Sequence, residues 1–199
     1  MIPVYITDII GEVVAAAKTA KYNGTNVTLL QTIRTNETAA IESTLISTIN
    51  FQYGHKKELI ETLIQMDQNP DNQANKYPLV YLVQDFSEER GKAVGQYAEV
   101  SLNVIIAHST RNDHKITDRM TKVFKPVLYP IYYQFMKFLA AHPMVNVINS
   151  DMIPHKKTDR SYWGRNAVGG TDALKLNDYV DAIEIENLQL KINYKSGCP

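Results

Sequence analysis

Three observations predict an α+β fold, an antiparallel or mixed β-sheet flanked by helices. Apolar and polar residues alternate along "YAEVSLNVIIAHS", the period of a strand. In three other stretches apolar residues recur every three or four positions, the period of a helix. The two kinds of stretch do not alternate regularly, as an all-parallel α/β protein would require.

The elements follow in order. Ile2 to Lys18 reads as a helix, with Ile6, Ile9, Ile10, Val13, Val14 and Ala17 at helical spacing and Thr7 or Asp8 as its cap. After the turn residues of "KYNGTN", the β-branched "VTLLQTI" reads as a strand, and "STLISTINFQY" as mainly extended up to Gly54. "HKKELIETLIQM" groups Leu59, Ile60, Leu63, Ile64 and Met66 on one side of a helix. "YPLVYLVQDF" reads as a strand with Pro78 near its start, and "SEERGKAVG" as the turn into the next. There Val100, Leu102, Val104 and Ile106 share one face, so the two strands are expected to form an antiparallel hairpin.

A long helix is expected over Thr117 to Ala141, with a stripe running from Met120 through Phe124, Leu128, Ile131 and Phe135 to Leu139. Pro126 and Pro130 each remove a backbone donor and crowd the preceding turn, so they should bend or split it, and His142-Pro143 should end it. Asn149 to Asp178 is polar and turn-rich and reads as a long irregular loop. "YVDAIEIENLQLKI" is the last β element. Ile183 and Ile185 are in one phase and Leu188, Leu190 and Ile192 in the other, which requires a bulge or break near Glu186-Asn187. One domain is expected over 1–199: helices and strands in 1–75, then the core sheet, long helix, loop 149–178 and final β element in 76–199.

The chain has 199 residues, is 44% hydrophobic and 21% charged, and balances 21 basic against 21 acidic side chains. It has enough length for a proper core, and no global field to gather nucleic acid or an anionic membrane. Its one cysteine, Cys198, cannot form an internal disulfide. No apolar run approaches the ~20 residues of a membrane span. The N-terminus lacks the basic start of a secretory signal, so no targeting address is expected.

Chemistry is weakly marked. His108, Ser109, Asp113 and His114 are triad residue types, but they crowd into one strand-to-helix connection, where Ser and Asp serve turns and caps. The histidines stand in no metal-binding spacing and the glycines in no phosphate-binding one. No catalytic residue, cofactor or metal is therefore expected. "HKKTDRSYWGR" sets Lys156, Lys157, Arg160 and Arg165 around Tyr162 and Trp163. These residue types could stack bases and hold phosphates, or could form a protein–protein contact. Zero net charge favours the contact.

The phrases "KYPLVYLVQDF", "AEVSLNVIIAHST", "DRMTKVFKPVLYPIYYQF" and "LNDYVDAIEIENLQLKI" carry a resemblance covering mainly Lys76 to Ile192, with "NFQYGHKKELIETL" matching more weakly. The chain resembles structural proteins of tailed bacteriophages, particularly crAss-like phages of gut Bacteroidales. The order of elements is similar to the tail-terminator or tail-completion fold. The resemblance implies a non-enzymatic virion protein, a ring subunit of the head–tail connector between portal and tail. Its partners would be copies of itself in a closed ring and neighbouring connector, portal or tail proteins, with genome DNA passing through the lumen as a further contact. No membrane partner is implied. The alternatives are a nucleic-acid-binding module using Lys156–Arg165, and a small-ligand enzyme using the histidine-rich joint.

Overall fold

The computed structural model describes residues 5–19, 49–69, 75–90, 97–146, 153–163 and 178–194. The expected strand "VTLLQTI" and the first part of "STLISTINFQY" lie outside the described residues, as does Arg165. Among the described residues the fold is α+β, with a mixed seven-stranded sheet. Its axis is an antiparallel ribbon of β4 (Tyr97–Ser109) and β7 (Val180–Asn193), paired from Tyr97↔Asn193 to Ser109↔Val180. At ~3.4 Å per residue the ribbon is about 45 Å long.

Shorter strands flank the ribbon. Beside the half holding Ser109 and Val180 lie β2 (Leu79–Val83) on β4 and β6 (Lys156–Trp163) on β7. Beside the other half lie β3 (Glu88–Arg90) and β5 (Val145–Asn146). β1 (Asn50–Gly54) pairs with β2 in parallel. A parallel pair cannot be joined by a tight turn, and the connection here contains helix α2 (Lys56–Asp67). The expected β2–β4 hairpin is present, with β3 inside the segment expected to be its turn.

Each face of the sheet has its own apolar cluster. On the first face, α1 (Ile6–Thr19) and the long helix α3 (116–141) cover Val80 and Leu82 of β2, Val100 to Ile106 of β4 at alternate positions, and Ile183, Ile185, Leu188, Leu190 and Ile192 of β7. Phe124, Leu128, Ile131 and Phe135 of α3 belong to this cluster, as their spacing predicts. On the second face, Leu59, Ile60 and Leu63 of α2 meet Leu79, Tyr81, Val83, Ile105, Ala107, Val180 and Ala182. This cover spans only one half of the ribbon. In the other half Tyr97, Glu99, Ser101 and Gln189 are exposed.

The phase switch in β7 is a bulge. Leu102 pairs with Leu188 and Val104 with Ile185, so Asn103 alone faces Glu186 and Asn187. Asn187 has φ 53°, and its N–H donates to Asn103 Oδ1 at 3.1 Å. Asparagine tolerates this left-handed conformation better than most residues do. The extra residue keeps Ile185 and Leu188 on the same buried face.

α3 consists of Ile116–Arg119, a π-helical stretch Met120–Leu128 and Tyr129–Ala141. The prolines do not split it. In a π-helix each N–H bonds five residues back, and the Tyr129 N–H reaches the Phe124 carbonyl. The wider turn takes in Pro126, and Pro130 falls in the first turn of the following α-helical part, where a missing N–H is tolerated. His142, with extended backbone, ends the helix as expected.

Local caps are specific. In α1, Asp8 sits inside the first turn and accepts from the Tyr5 N–H at 3.2 Å. In α2, His55 Nδ1 accepts from the Lys57 N–H and Glu58 accepts from the His55 N–H, a reciprocal cap. Gly54, at φ 151°, admits both: a Cβ there would lie 2.6 Å from Glu58 Oε2 and 2.8 Å from the Tyr81 hydroxyl.

Candidate interaction surface

The described part of Asn149–Asp178 differs from the irregular loop expected there. Lys156–Trp163 is the strand β6, paired with β7 from Lys156↔Glu186 to Trp163↔Val180. The propensities of Lys, Asp and Arg argue against a strand, but the long β7 offers a free edge that β6 completes. Trp163, expected in a base-stacking or protein–protein surface, is instead buried. Trp163 is 3% exposed, packs in the second-face cluster, and donates from Nε1 to Glu184 Oε1 at 2.9 Å.

The cations of β6 are occupied within the chain. Arg160 Nε donates to Glu184 Oε2 at 3.0 Å, and Lys56 Nζ lies 3.8 Å from Glu184 Oε1. Lys156 pairs with Glu186 at 2.7 Å and holds that carboxyl below its usual range. Lys157 pairs with Asp159 and lies over the rings of Tyr129 and Tyr132. Asp159 also accepts from the Tyr129 hydroxyl at 2.7 Å; burial and then this bond raise that phenol to about 12. Two clefts, about 530 and 420 Å³, share Lys56, Glu184 and Glu186 and open on the second face. Lys56, Arg160 and Glu184 pair with one another there, and Trp163 is not free to stack a base. This geometry disfavours a nucleic-acid groove.

Of the two aromatics, Tyr162 is the exposed one. β6 bulges opposite Asp181, and Tyr162, at φ 55°, donates its N–H to Asp181 Oδ1 at 3.1 Å. Its ring covers the Arg119 guanidinium at 3.6 Å. Arg119 and Asp181 form a buried ion pair, 1% and 0% exposed, at 2.5 Å. Arg119 also donates to the carbonyls of His114 and Arg111. One arginine thus ties the 108–115 joint, α3, β6 and β7 together.

The joint does not assemble a triad. Asp113 pairs with Arg111, and His114 meets the Thr110 hydroxyl at 3.3 Å. Ser109 is exposed at the end of β4, while His108 Nδ1 is buried without a hydrogen-bond partner among the described residues. Burial lowers the His108 imidazole to about 4. No group of three or more His, Cys, Asp or Glu able to hold a metal occurs among the described residues.

Sequence reasoning missed a second clamp. Lys76, 2% exposed, bridges Asp67 at the end of α2 and Asp178 ahead of β7. The Tyr77 hydroxyl also donates to Asp178, and burial followed by that carboxylate holds the phenol far above its ordinary range. The available signal for buried charge was Asp181 and Glu184 interrupting an apolar run. No described helix is long and apolar enough to cross a membrane. Comparison with known proteins finds no matching family model, curated protein or solved structure.

Proposed function

We propose that this protein is a structural subunit of a phage virion, one copy in a closed ring of the head–tail connector or tail, of the tail-terminator or completion type. The observation that carries the reading is where the resembling phrases fall. "KYPLVYLVQDF", "AEVSLNVIIAHST", "DRMTKVFKPVLYPIYYQF" and "LNDYVDAIEIENLQLKI" contain β2 and most of β4, α3 and β7, the frame of the first-face core. The resembling phrases therefore fall on elements that build the core. The surface chemistry supports it: charges are largely consumed in ion pairs, while Tyr53, Tyr97, Tyr133 and Tyr162 are exposed. Tyrosine is enriched at protein–protein interfaces.

On this reading the protein works by fitting its neighbours, with no turnover. A ring uses heterologous contacts, one patch of a subunit meeting a different patch of the next. Light scattering and negative-stain imaging of the purified full chain test the proposal. The expected result is a closed ring, alone or when mixed with a connector protein from the same virion. A chain that stays monomeric in both settings and is missing from purified virions overturns it.

A further inference from the structure

His108 and Asp181 stand directly opposite each other on β4 and β7. Opposed residues of an antiparallel pair point to the same face, with Cβ atoms about 4.5–5.5 Å apart. Each carries one buried polar atom without a hydrogen-bond partner among the described residues, His108 Nδ1 and Asp181 Oδ2. The rest of this node is well bonded. Asp181 Oδ1 accepts from Arg119 and from the Tyr162 N–H, and Arg119 donates onward to the carbonyls of Arg111 and His114. Buried polar atoms in folded proteins are nearly always bonded, to protein or to ordered water. Two orphans at opposed positions of one strand pair point to a common partner.

We propose that this node is a binding site for one internal water molecule, which bridges His108 Nδ1 and Asp181 Oδ2. The chemistry of the two atoms selects the occupant. The salt-bridged Asp181 offers an acceptor. Burial keeps the imidazole neutral. A neutral imidazole nitrogen accepts in one tautomer and donates in the other. The occupant must therefore donate to Asp181 and be able to do either toward His108. A metal ion or an ammonium group would face the guanidinium of Arg119, and an anion would face the carboxylate. Water both donates and accepts and carries no charge. Bound there, it links β4 to the Arg119 network. The site stands independently of ring assembly.

A crystal structure of the full chain that shows ordered water tests this directly. The expected result is a single density peak within hydrogen-bond distance of both His108 Nδ1 and Asp181 Oδ2. A His108→Leu variant removes one of the two partners, and the peak should then be lost while the Arg119–Asp181 pair stays. Two results overturn the proposal: a His108 ring turned so that it bonds Asp181 directly, or a peak that persists unchanged in the variant.

Discussion

At the residue scale, Trp163 sits in a stretch that reads as polar surface, yet it is a core residue. Its burial depends on Leu59 and Leu63 of α2 and on Ala182 of β7, residues distant in sequence. No local pattern announces such a pocket, so this part of the candidate surface was illegible. Trp163→Ala should destabilise the fold by about 3–5 kcal/mol, as for other buried aromatics, read from urea unfolding. Trp163→Phe keeps most of the packing and removes the hydrogen bond to Glu184 Oε1, and should cost about 1–3 kcal/mol. An unchanged midpoint for Trp163→Ala would return the residue to the surface. His108 supplies a pH test. Its folded value of about 4 lies below the ordinary value near 6.5, so between them the unfolded chain binds the proton more readily. Stability should therefore be complete above about pH 6.5 and fall as pH drops toward 4, by up to roughly 3 kcal/mol. His108→Leu should flatten that slope, and an identical pH profile for the two chains would refute the assignment.

At the element scale, the bulge in β7 was legible from sequence because strand phase is strict. A period of two leaves no way to bury both Ile185 and Leu188 without an inserted residue. Deleting Asn187 should throw Leu188, Leu190 and Ile192 onto the open face, and the chain should fail to give a cooperative unfolding transition. Asn187→Val tests conformation alone: a β-branched residue at φ 53° should cost about 1–2 kcal/mol, while Asn187→Gly should be nearly neutral. The helix was legible in extent and in buried face, but not in its winding. Two prolines in an apolar stripe signal trouble for an α-helix without saying which remedy the chain adopts. Phe124→Ala should cost about 3–5 kcal/mol, since Phe124 lies in the first-face core beneath the π-helical turn. A change near zero in its unfolding midpoint would show that the buried face is misassigned.

At the scale of the whole molecule, the fold class was readable because helices and strands each bury a patterned face. Which strands are neighbours was not, since only β2 and β3 pair with β4 across short connections, and β6 was hidden by its charged side chains. The assembly reading makes a further prediction. Replacing Tyr53, Tyr97 and Tyr133 singly with serine should leave unfolding midpoints nearly unchanged, and at least one replacement should reduce ring yield by size-exclusion light scattering. Rings unaffected by all three would place the contacts elsewhere. The long β4–β7 ribbon also has a consequence in time. Tyr97 finds its partner only at Asn193, and β6 too waits for β7. During synthesis, then, β4 emerges with one edge unsatisfied and stays so until the strand that closes it has left the ribosome. Pairings this remote in sequence make for slow folding. The nascent chain spends that interval exposing apolar strand edge, so crowded production of this protein should favour clients of chaperones over rapid self-sufficient folders.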